Sequence, residues 1–360
     1  MNIGTATSAR TSSINVITLA EENITEVAHF IASQSGQSPA SVESHLGWFL
    51  LENPAHRLNH PIGYGLRFDD RLVGCILCCP QVFRCGAATI NLMGSSSFYV
   101  DQAFRGHGGR LFLQYSRSQG PLFGTSANPD AAALWRATGA TPIPHTDGEL
   151  FGVLRWSPLA EEFAHRRFSN RILTRIASSR MANLAAFFRR LKIEKSDGEL
   201  LQPLTSAEQV NDLRIECRSE KLTSARDPSY IRWRYFSGRD QTTAAFAFRD
   251  GANDKNILVT VNRRQRGHRG QITTLNVLDV YPEVGPSEAL KIVAALVGRY
   301  RTGADAVVLR NLTPETAKIF RSRGFIHRAF QAPTGWYLDK AKLLPARDWY
   351  AVPADGDALI

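Results

Sequence analysis

The sequence lacks any apolar run that approaches the ~18 residues a helix needs to cross a bilayer. Its first residues, MNIGTATSARTSSIN, also lack the apolar stretch of a secretory signal peptide, so we interpret them as a frayed tail. The composition, 43% hydrophobic and 21% charged residues, is that of a globular chain. We therefore expect a soluble protein of the cytoplasm.

The sequence is also poor in metal-ligand patterns. Four of its five cysteines crowd together, and Cys75 and Cys78 form a C-x-x-C pair with Cys79 and Cys85 nearby. A zinc site would need further ligands, but there is no second C-x-x-C and no neighbouring pair of histidines. The alternation typical of a strand would put Cys75 and Cys79 on one face and Cys78 on the other. We predict buried, reduced thiols and no metal.

Two common phosphate-binding loops are missing as well, namely GxxxxGK followed by Ser or Thr, and GxGxxG after a chain-leading strand. A different glycine-rich turn is present at residues 105–110, RGHGGR, between the strand-like run Ala87–Val100 and a segment with helical spacing. Its glycines let backbone N–H groups turn inward and make φ > 0 cheap. A helix N-terminus favours an anion, and Arg105 and Arg110 add charge. The turn predicts a phosphate-bearing ligand.

This turn resembles the pyrophosphate-binding turn of the GNAT N-acyltransferase superfamily, R/Q-x-x-G-x-G/A. Arg105 and Gly108 match that pattern, whereas Arg110 stands where Gly or Ala is usual. A strand-like run follows, then a helix that begins after Asn128 and closes at Gly139, which is also similar to the family. Asn128 before a proline is equally a good helix cap, and the two roles are compatible.

The resemblance implies an α/β (α+β) fold, with a mixed, mostly antiparallel twisted sheet flanked by helices. It further implies transfer of an acyl group, most often acetyl, from coenzyme A to an amine in one ternary complex. Acetyl-CoA or another acyl-CoA would be the co-substrate. The residues that would contact the coenzyme are Phe98, Tyr99, Val100, Arg105, Gly106, His107, Gly108, Gly109, Arg110 and Asn128.

An internal repeat covers most of the chain. Trp48 and Trp233 are 185 residues apart, and so are Gly139 and Gly324. Around these anchors SHLGWFLLENP parallels SYIRWRYFSGR, and ALWRATGA parallels KIFRSRGF. We infer two tandem copies of one GNAT-like domain. The predicted organisation is a tail at 1–13, a first domain with the coenzyme site at 14–156, a basic helical linker at 157–197, a second domain at 198–340 and a tail at 341–360.

The second copy is predicted to be degenerate. Its central strand, Gln271–Val280, runs into YPEVGPSE, which has one glycine, two prolines and two carboxylates. The prolines remove backbone donors, and the carboxylates would repel a pyrophosphate. We expect a scaffold, a lid or part of the acceptor site here. The basic stretch Arg263–Gly270 is expected in a solvated hairpin loop.

The predicted linker is strongly basic. Residues 157–195 hold nine Lys and Arg against three acids, which accounts for six of the chain's ten excess positive charges. Apolar residues recur there at helical spacing, so we predict one or two basic amphipathic helices. Such helices can contact an anionic surface, although their apolar face more often docks on its own domain.

A general base is not evident, because the central strand ATINLMGSSSFYV carries no carboxylate before Asp101. Glu149 and His145 are the candidates that we name, and a water chain is the alternative. Two further assignments remain open. Glu52, near a predicted helix on the acceptor side of the fold, is another candidate base, and Tyr99 or Tyr115 is a candidate proton donor to the leaving thiolate.

The function that we predict is an acyl-CoA-dependent N-acyltransferase for a small amine or an amino sugar. One alternative is a Fem-like aminoacyl transferase that uses transfer RNA, but proteins of that type do not usually keep a glycine-rich pyrophosphate turn. Another is a non-catalytic basic protein that binds nucleic acid or an anionic membrane surface, although its basic run lacks interleaved aromatics. We expect no stable nucleic-acid complex, and the sequence leaves the oligomeric state open.

Overall fold

The computed structural model describes residues 13–56, 60–118, 120–167, 191–193, 200–213, 215, 220–237, 242–250, 255–267, 270–344 and 348–355. Most of the predicted basic linker, residues 168–190 and 194–197, lies outside them. The chain divides into two compact units. Unit 1 comprises Met1–Pro80 and Met93–Gln119, and unit 2 comprises Gln81–Leu92 and Gly120–Ile360. The linear domain boundaries at 156, 197 and 340 stay a prediction.

Unit 1 contains an antiparallel sheet in the order β1-β2-β3-β4. The bounds of its strands are β1 Ile14–Leu19, β2 Gly63–Phe68, β3 Arg71–Cys85 and β4 Ala88–Val100. The hairpin that joins β3 to β4 passes through residues 81–92 and so belongs to unit 2. Strand β2 pairs with both β1 and β3, and Gly63 lies opposite Leu19 and Leu77.

The helices of unit 1 follow local capping chemistry. They are α1 Ile24–Ser35, α2 Pro39–Leu46 and α3 Gly108–Tyr115. Helix α1 is preceded by a 3-10 turn at Glu21–Asn23, where the Asn23 Oδ1 accepts from the Ala20 amide at 2.9 Å. Helix α2 starts at Pro39, where Ser38 caps it, and passes into a π-helical turn at Gly47–Leu51.

Strand β3 is buried without interruption from Leu72 to Cys79. A strand covered on only one face would alternate, so both faces of β3 are covered here. Cys75, Cys78 and Cys79 are therefore all buried, and Cys85 near the end of the strand is half-buried. Burial raises the pKa of the Cys75 and Cys78 thiols to about 12. These two thiols are unreactive at neutral pH.

Unit 2 contains a seven-stranded sheet in the order β14-β7-β13-β12-β11-β10-β8. Its strands are β7 Gly148–Val153, β8 Leu201–Leu204, β10 Thr243–Asp250, β11 Lys255–Arg266, β12 Ile272–Tyr281, β13 Ala306–Arg310 and β14 Ile326–Ala329. Strands β12 and β13 are parallel, and the other neighbours are antiparallel. This confirms the predicted α/β class with mixed, mostly antiparallel sheets.

Four shorter strands complete unit 2. They are β5 Leu122–Gly124, β6 Thr141–Pro142, β9 Thr223–Ser224 and β15 Trp336–Leu338. Strand β15 lies between β5 and β6, and β9 pairs with the end of β3 at Phe83 and Arg84.

Two strands of unit 2 lie far in the sequence from their partners. Strand β7 belongs to the first half of the repeat but pairs with β13 and β14 of the second half. Strand β15 belongs to the second half but pairs with β5 and β6 of the first. The 185-residue shift places β7 on the segment that contains β15. The two halves thus exchange strands that occupy equivalent places in the repeat.

Among the described residues, the helices of unit 2 are α4 Pro129–Ala137, α5 Trp156–Arg167, α6 Ala207–Asp212, α7 Pro228–Ile231, α8 Pro286–Tyr300 and α9 Pro314–Ser322. Helices α8 and α9 supply Leu296 and Phe320 to a core that also contains Leu275, Val307 and Leu150. Since Leu150 lies on β7, this core depends on the exchanged strand.

The repeat recurs in the order of the elements and in their caps. Asn128 and Thr313, 185 residues apart, each cap a helix whose first residue is proline. Gly139 and Gly324 follow these helices with φ of 81° and 96°. A second π-helical turn, Arg232–Ser237, begins 185 residues after that at Gly47. That the halves are two copies of one domain remains a prediction, which these shared features support.

One prediction about the second half is wrong. Arg263 to Arg266 were expected in a hairpin loop, but they are the last residues of β11 and pair with Ile272 to Leu275 of β12. Strand pairing continues beyond the apolar part of the strand because backbone hydrogen bonds do not depend on side-chain polarity. No helix in the described ranges is long and apolar enough to span a bilayer.

We predict that Gly152→Ala destabilises unit 2, because the added Cβ would lie 2.6 Å from Cζ of the buried Phe325 ring. Overpacking of this kind costs about 1–3 kcal/mol. The matched control is Gly285→Ala, where a Cβ meets no described atom within 4 Å. Urea unfolding of the two variants checks this. An unchanged midpoint for Gly152→Ala would contradict the placement of β7 in this sheet.

Candidate functional site

The glycine-rich turn lies where β4 ends and α3 begins, in unit 1. Asp101 anchors it, because its amide donates to the Val73 carbonyl at 2.9 Å and its Oδ1 accepts from the Ala103 amide at 3.0 Å. A 3-10 turn, Gln102–His107, then leads directly into α3. The chain therefore enters the helix with its amides turned toward the N-terminal end, as an anion site requires.

The glycines of the turn do not use the positive φ that glycine makes accessible. Gly106, Gly108 and Gly109 are not among the glycines with positive φ. The 3-10 and helical conformations both have negative φ, so any residue could adopt them. A Cβ on Gly108 would make ordinary contacts at 3.5 Å with Phe98 and Val100, and one on Gly106 or Gly109 would meet no described atom within 4 Å. Neither backbone strain nor packing among these residues requires glycine at 106 and 109.

The charges around the turn are positive. Arg105, Gly109 and Arg110 are exposed, and His107 is half-buried. Arg110 donates to the Ile14 carbonyl at 3.3 Å, which holds it beside the first strand. Within the part of the chain that the structure describes, no carboxylate pairs with Arg105, His107 or Arg110. The turn thus keeps its positive charge available for a ligand.

Helix α3 is fixed by its buried face. Leu111, Phe112 and Tyr115 are buried, and the Tyr115 hydroxyl donates to the Met93 carbonyl of β4 at 2.9 Å. Burial, the largest cause, raises the pKa of Tyr115 well above its ordinary value. Among the described residues this hydroxyl serves to tie α3 to β4.

The end of β4 is the other part of the site in unit 1. Phe98, Tyr99 and Val100 are half-buried, and the Phe98 ring lies 6.0 Å from that of Phe112. Gly74 of β3 approaches this segment closely, since a Cβ there would lie 3.3 Å from the Tyr99 carbonyl oxygen. These strand residues therefore lie next to the turn in sequence and pack against its helix.

The remaining predicted site residues belong to unit 2. Asn128 is the N-cap of α4, and its Oδ1 accepts from the Ala131 amide at 2.8 Å. His145 is exposed and has a positive φ of 64° between β6 and β7. Glu149 lies on β7 and its side chain is fully buried. His145 and Glu149 line one open cleft together with Arg310.

Glu149 is surrounded by arginines. Arg310 donates from Nε to its Oε2 at 2.9 Å and places Nη2 at 2.8 Å from the same oxygen. Arg328 Nη2 lies 2.5 Å from Oε1, and Arg266 Nη1 lies 4.0 Å from it. The sequence named Glu149 as a candidate base but contained no signal for this environment, because the three arginines come from three different strands.

A buried ionic network in unit 2 was not predicted from the sequence. Arg226 donates from Nε to Asp279 Oδ2 at 3.0 Å, and its Nη2 lies 3.1 Å from Asp355 Oδ1. All three side chains are nearly or fully inaccessible. Tyr235 donates to Asp279, and Ser224 donates to Asp355. Burial works against the charged form of Arg226, but the two aspartates outweigh it and raise its pKa.

This network holds the C-terminal segment. Residues 348–355, which the sequence analysis assigned to a tail, contain buried Trp349, Val352 and Asp355. The Trp349 ring packs edge-on against Phe83 at 5.6 Å. The Asp355 backbone carbonyl accepts from Gln81 at 2.9 Å. Among the described residues, this segment closes one wall of a cleft between the ends of β12 and β13.

The start of α8 is the counterpart of the glycine-rich turn in the repeat. Gly285 is its N-cap and Pro286 its first residue, so one amide is missing there. Glu283 lies just before it and pairs with Lys221 at 2.7 Å. This end of α8 is therefore less suited to an anion than the start of α3.

In the described ranges, no group of three or more His, Cys, Asp or Glu side chains is placed so that it could hold a metal ion.

Comparison with solved structures places this arrangement in a known fold. The chain matches a conserved protein of unknown function from Enterococcus faecalis V583, described as a probable N-acyltransferase, with a TM-score of 0.57, 10% identity, 91% of this chain and 73% of that one. It matches a GCN5-related N-acetyltransferase from Anabaena variabilis ATCC 29413 with a TM-score of 0.54, 12% identity, 90% of this chain and 72% of that one. The chain has the GNAT fold.

A third solved structure is also similar to the chain. N-myristoyltransferase from Saccharomyces cerevisiae, solved with bound myristoyl-CoA, matches with a TM-score of 0.53, 10% identity, 91% of this chain and 78% of that one. No protein-family model and no curated protein matches the sequence. At such low identity these likenesses establish the GNAT fold across about nine-tenths of the chain.

We predict that Arg226→Leu destabilises unit 2 by about 3–5 kcal/mol at pH 7, because it leaves two buried carboxylates without their countercharge. Part of that loss should be recovered at pH 5, since burial raises the pKa of Asp355 and its protonation removes an uncompensated charge. Urea unfolding at both pH values measures the effect. Arg232→Leu, which breaks only the exposed pair with Glu208, is the control and should change little. Equal effects of the two substitutions would contradict the role of the network.

Proposed function

We propose that the chain is an acyl-CoA-dependent N-acyltransferase that transfers an acyl group, with acetyl as the first candidate, to an amine. The observation that carries the proposal is the junction between β4 and α3. Gly106 and Gly109 have negative φ and open space around their α-carbons, so the described residues alone give no reason for glycine at either position. A ligand that approaches the backbone closely gives one, because a side chain there would block it.

The coenzyme pyrophosphate is the group that fits this junction best. Backbone amides at the N-terminal end of α3 favour an anion, and Arg105, His107 and Arg110 add donors without a competing carboxylate. Phe98, Tyr99 and Val100 at the end of β4 would pair with the amide groups of the pantetheine arm as a neighbouring strand does. Asn128 stays a predicted coenzyme contact, and in unit 2 it caps α4.

The reaction that we propose needs no covalent enzyme intermediate. The neutral amine attacks the thioester carbon, so a C–N bond forms while the C–S bond breaks. The amine releases one proton, and the coenzyme thiolate takes one up. A strand amide near Val100 would stabilise the developing oxyanion. Holding both substrates together supplies much of the rate.

His145 is the stronger of the two candidate bases. It is exposed and lines an open cleft, so it can exchange a proton with solvent. Glu149 is held by the guanidinium groups of Arg310 and Arg328, which compete for its lone pairs. To act as a base, Glu149 would first have to break these ion pairs.

The acceptor is proposed as a small amine or amino sugar. A transfer-RNA-dependent reaction is less compatible with a glycine-rich pyrophosphate turn. We place the protein in the cytoplasm and propose no metal cofactor.

We predict that Gly109→Glu lowers the affinity for acetyl-CoA at least about 100-fold, because the side chain occupies the open space and its carboxylate repels the pyrophosphate. Calorimetric titration measures this. The variant should keep the unfolding midpoint of the wild type, since position 109 is exposed.

Gly285→Glu is the matched control. It puts the same carboxylate at an open position, the N-cap of α8, and this variant should bind acetyl-CoA as the wild type does. Saturable binding that survives Gly109→Glu would overturn the assignment of the turn. Absence of binding by the wild type would overturn the proposed function, and transfer RNA and anionic vesicles would be tested next.

A further inference from the structure

Three arginines converge on one carboxylate in the second sheet. Glu149 of β7 is the direct register partner of Arg310 on β13 and of Arg328 on β14, so these side chains form one row across three strands. Both arginines contact the carboxylate, at 2.8 Å and 2.5 Å. Arg266 at the end of β11 lies 4.0 Å from it. We call Arg266, Arg310 and Arg328 the arginine cluster.

The cluster has more positive charge than it needs for Glu149. Three guanidinium groups surround one carboxylate, which leaves an excess of two positive charges. The pKa of Arg266 is lowered, first by burial, and while Glu149 opposes this, Arg310, Arg328 and Arg264 lower it further. The arginines therefore repel one another, and a second anion would relieve that repulsion.

The cluster also has unused donors and access to solvent. The contacts with Glu149 use Nε and Nη2 of Arg310 and Nη2 of Arg328. Among the described residues, Nη1 of Arg310 and both Nε and Nη1 of Arg328 have no hydrogen-bond partner. The side chains of Arg266, Arg310 and Arg328 are 31%, 33% and 58% exposed.

Space for a ligand lies next to Arg310, which lines an open cleft, whereas Arg266 and Arg328 are not part of that cleft's wall. Glu149 and Arg310 line an open cleft whose wall also contains Arg321, His145 and His327. Arginine forks match the oxygen geometry of phosphate and carboxylate groups, which each accept two parallel hydrogen bonds. Asp147 on the same wall is the acidic group that an anion would have to avoid.

We propose that the arginine cluster is a second anion site, in unit 2, which binds a phosphate or carboxylate group of a ligand other than the coenzyme. Glu149 orients the guanidinium groups there and sets how much positive charge remains for the ligand. This inference uses residues of unit 2 alone, so it stands whether or not the turn at α3 binds coenzyme A.

The test is calorimetric titration of the full chain with inorganic phosphate. Arg328→Gln removes an exposed arginine of the cluster and should weaken phosphate binding at least about tenfold, the value of one charged hydrogen bond. Glu149→Gln removes the competing carboxylate and should tighten it by a similar factor. Arg232→Gln, an exposed arginine elsewhere in unit 2, should leave it unchanged.

The turn at α3 could also take phosphate, so every titration is repeated in the Arg105→Gln background. Opposite effects of Arg328→Gln and Glu149→Gln that persist in this background would support the second site. If Glu149→Gln does not fold, the loss in Arg328→Gln decides by itself. Phosphate affinity that responds to Arg105→Gln but not to Arg328→Gln would overturn the proposal. Titration with carboxylates such as acetate distinguishes the two ligand classes.

Discussion

The strands that the two halves of the predicted repeat exchange within unit 2 are the constraint on which its sheets depend. Strand β7 lies between β13 and β14, and β15 lies between β5 and β6, so each supplies backbone partners on both sides. Without β7, strand β13 would lose one of its neighbours and expose an edge of unpaired donors and acceptors. The exchange also carries Glu149 into the second sheet, where the register sets it between Arg310 and Arg328.

Two buried charged side chains of unit 2, Arg226 and Glu149, have opposite surroundings. At Arg226 the guanidinium faces two aspartates, and the group is fully buried and closed by hydrogen bonds to the C-terminal segment. At Glu149 basic groups outnumber acidic ones, since one buried carboxylate faces three partly exposed arginines. The first arrangement attaches a chain segment to the core. The second leaves positive charge at the surface, and that difference is why we assign binding to it.

Local chemistry could be predicted where neighbouring residues decide the structure. Asn128 before a proline caps α4, Gly139 takes positive φ after it, and the glycine-rich turn lies between a strand and a helix as expected. The fold followed from the same motifs, because their order along the chain is typical of the family that the turn resembles. The conformation of the turn itself did not follow from its glycines, since a 3-10 turn leads into α3 without a left-handed residue.

Long-range pairing could not be predicted. The six residues of β7, GELFGV, carry no signal that they pair with residues about 160 positions away rather than with a strand of their own half. The network of Arg226, Asp279 and Asp355 joins three distant segments, of which one was interpreted as a tail. In both cases the deciding interaction is a hydrogen bond or ion pair that forms only after the chain has folded, and single-sequence patterns do not record it.

Hydrogen exchange with and without acetyl-CoA tests the proposed binding of the coenzyme at the junction of β4 and α3. We expect slower exchange of backbone amides in peptides that cover residues 98–115, with no change in peptides that cover 281–290 at the start of α8. Protection at 281–290 with none at 98–115 would rule out binding at this junction, and would move the coenzyme site to the second half of the predicted repeat.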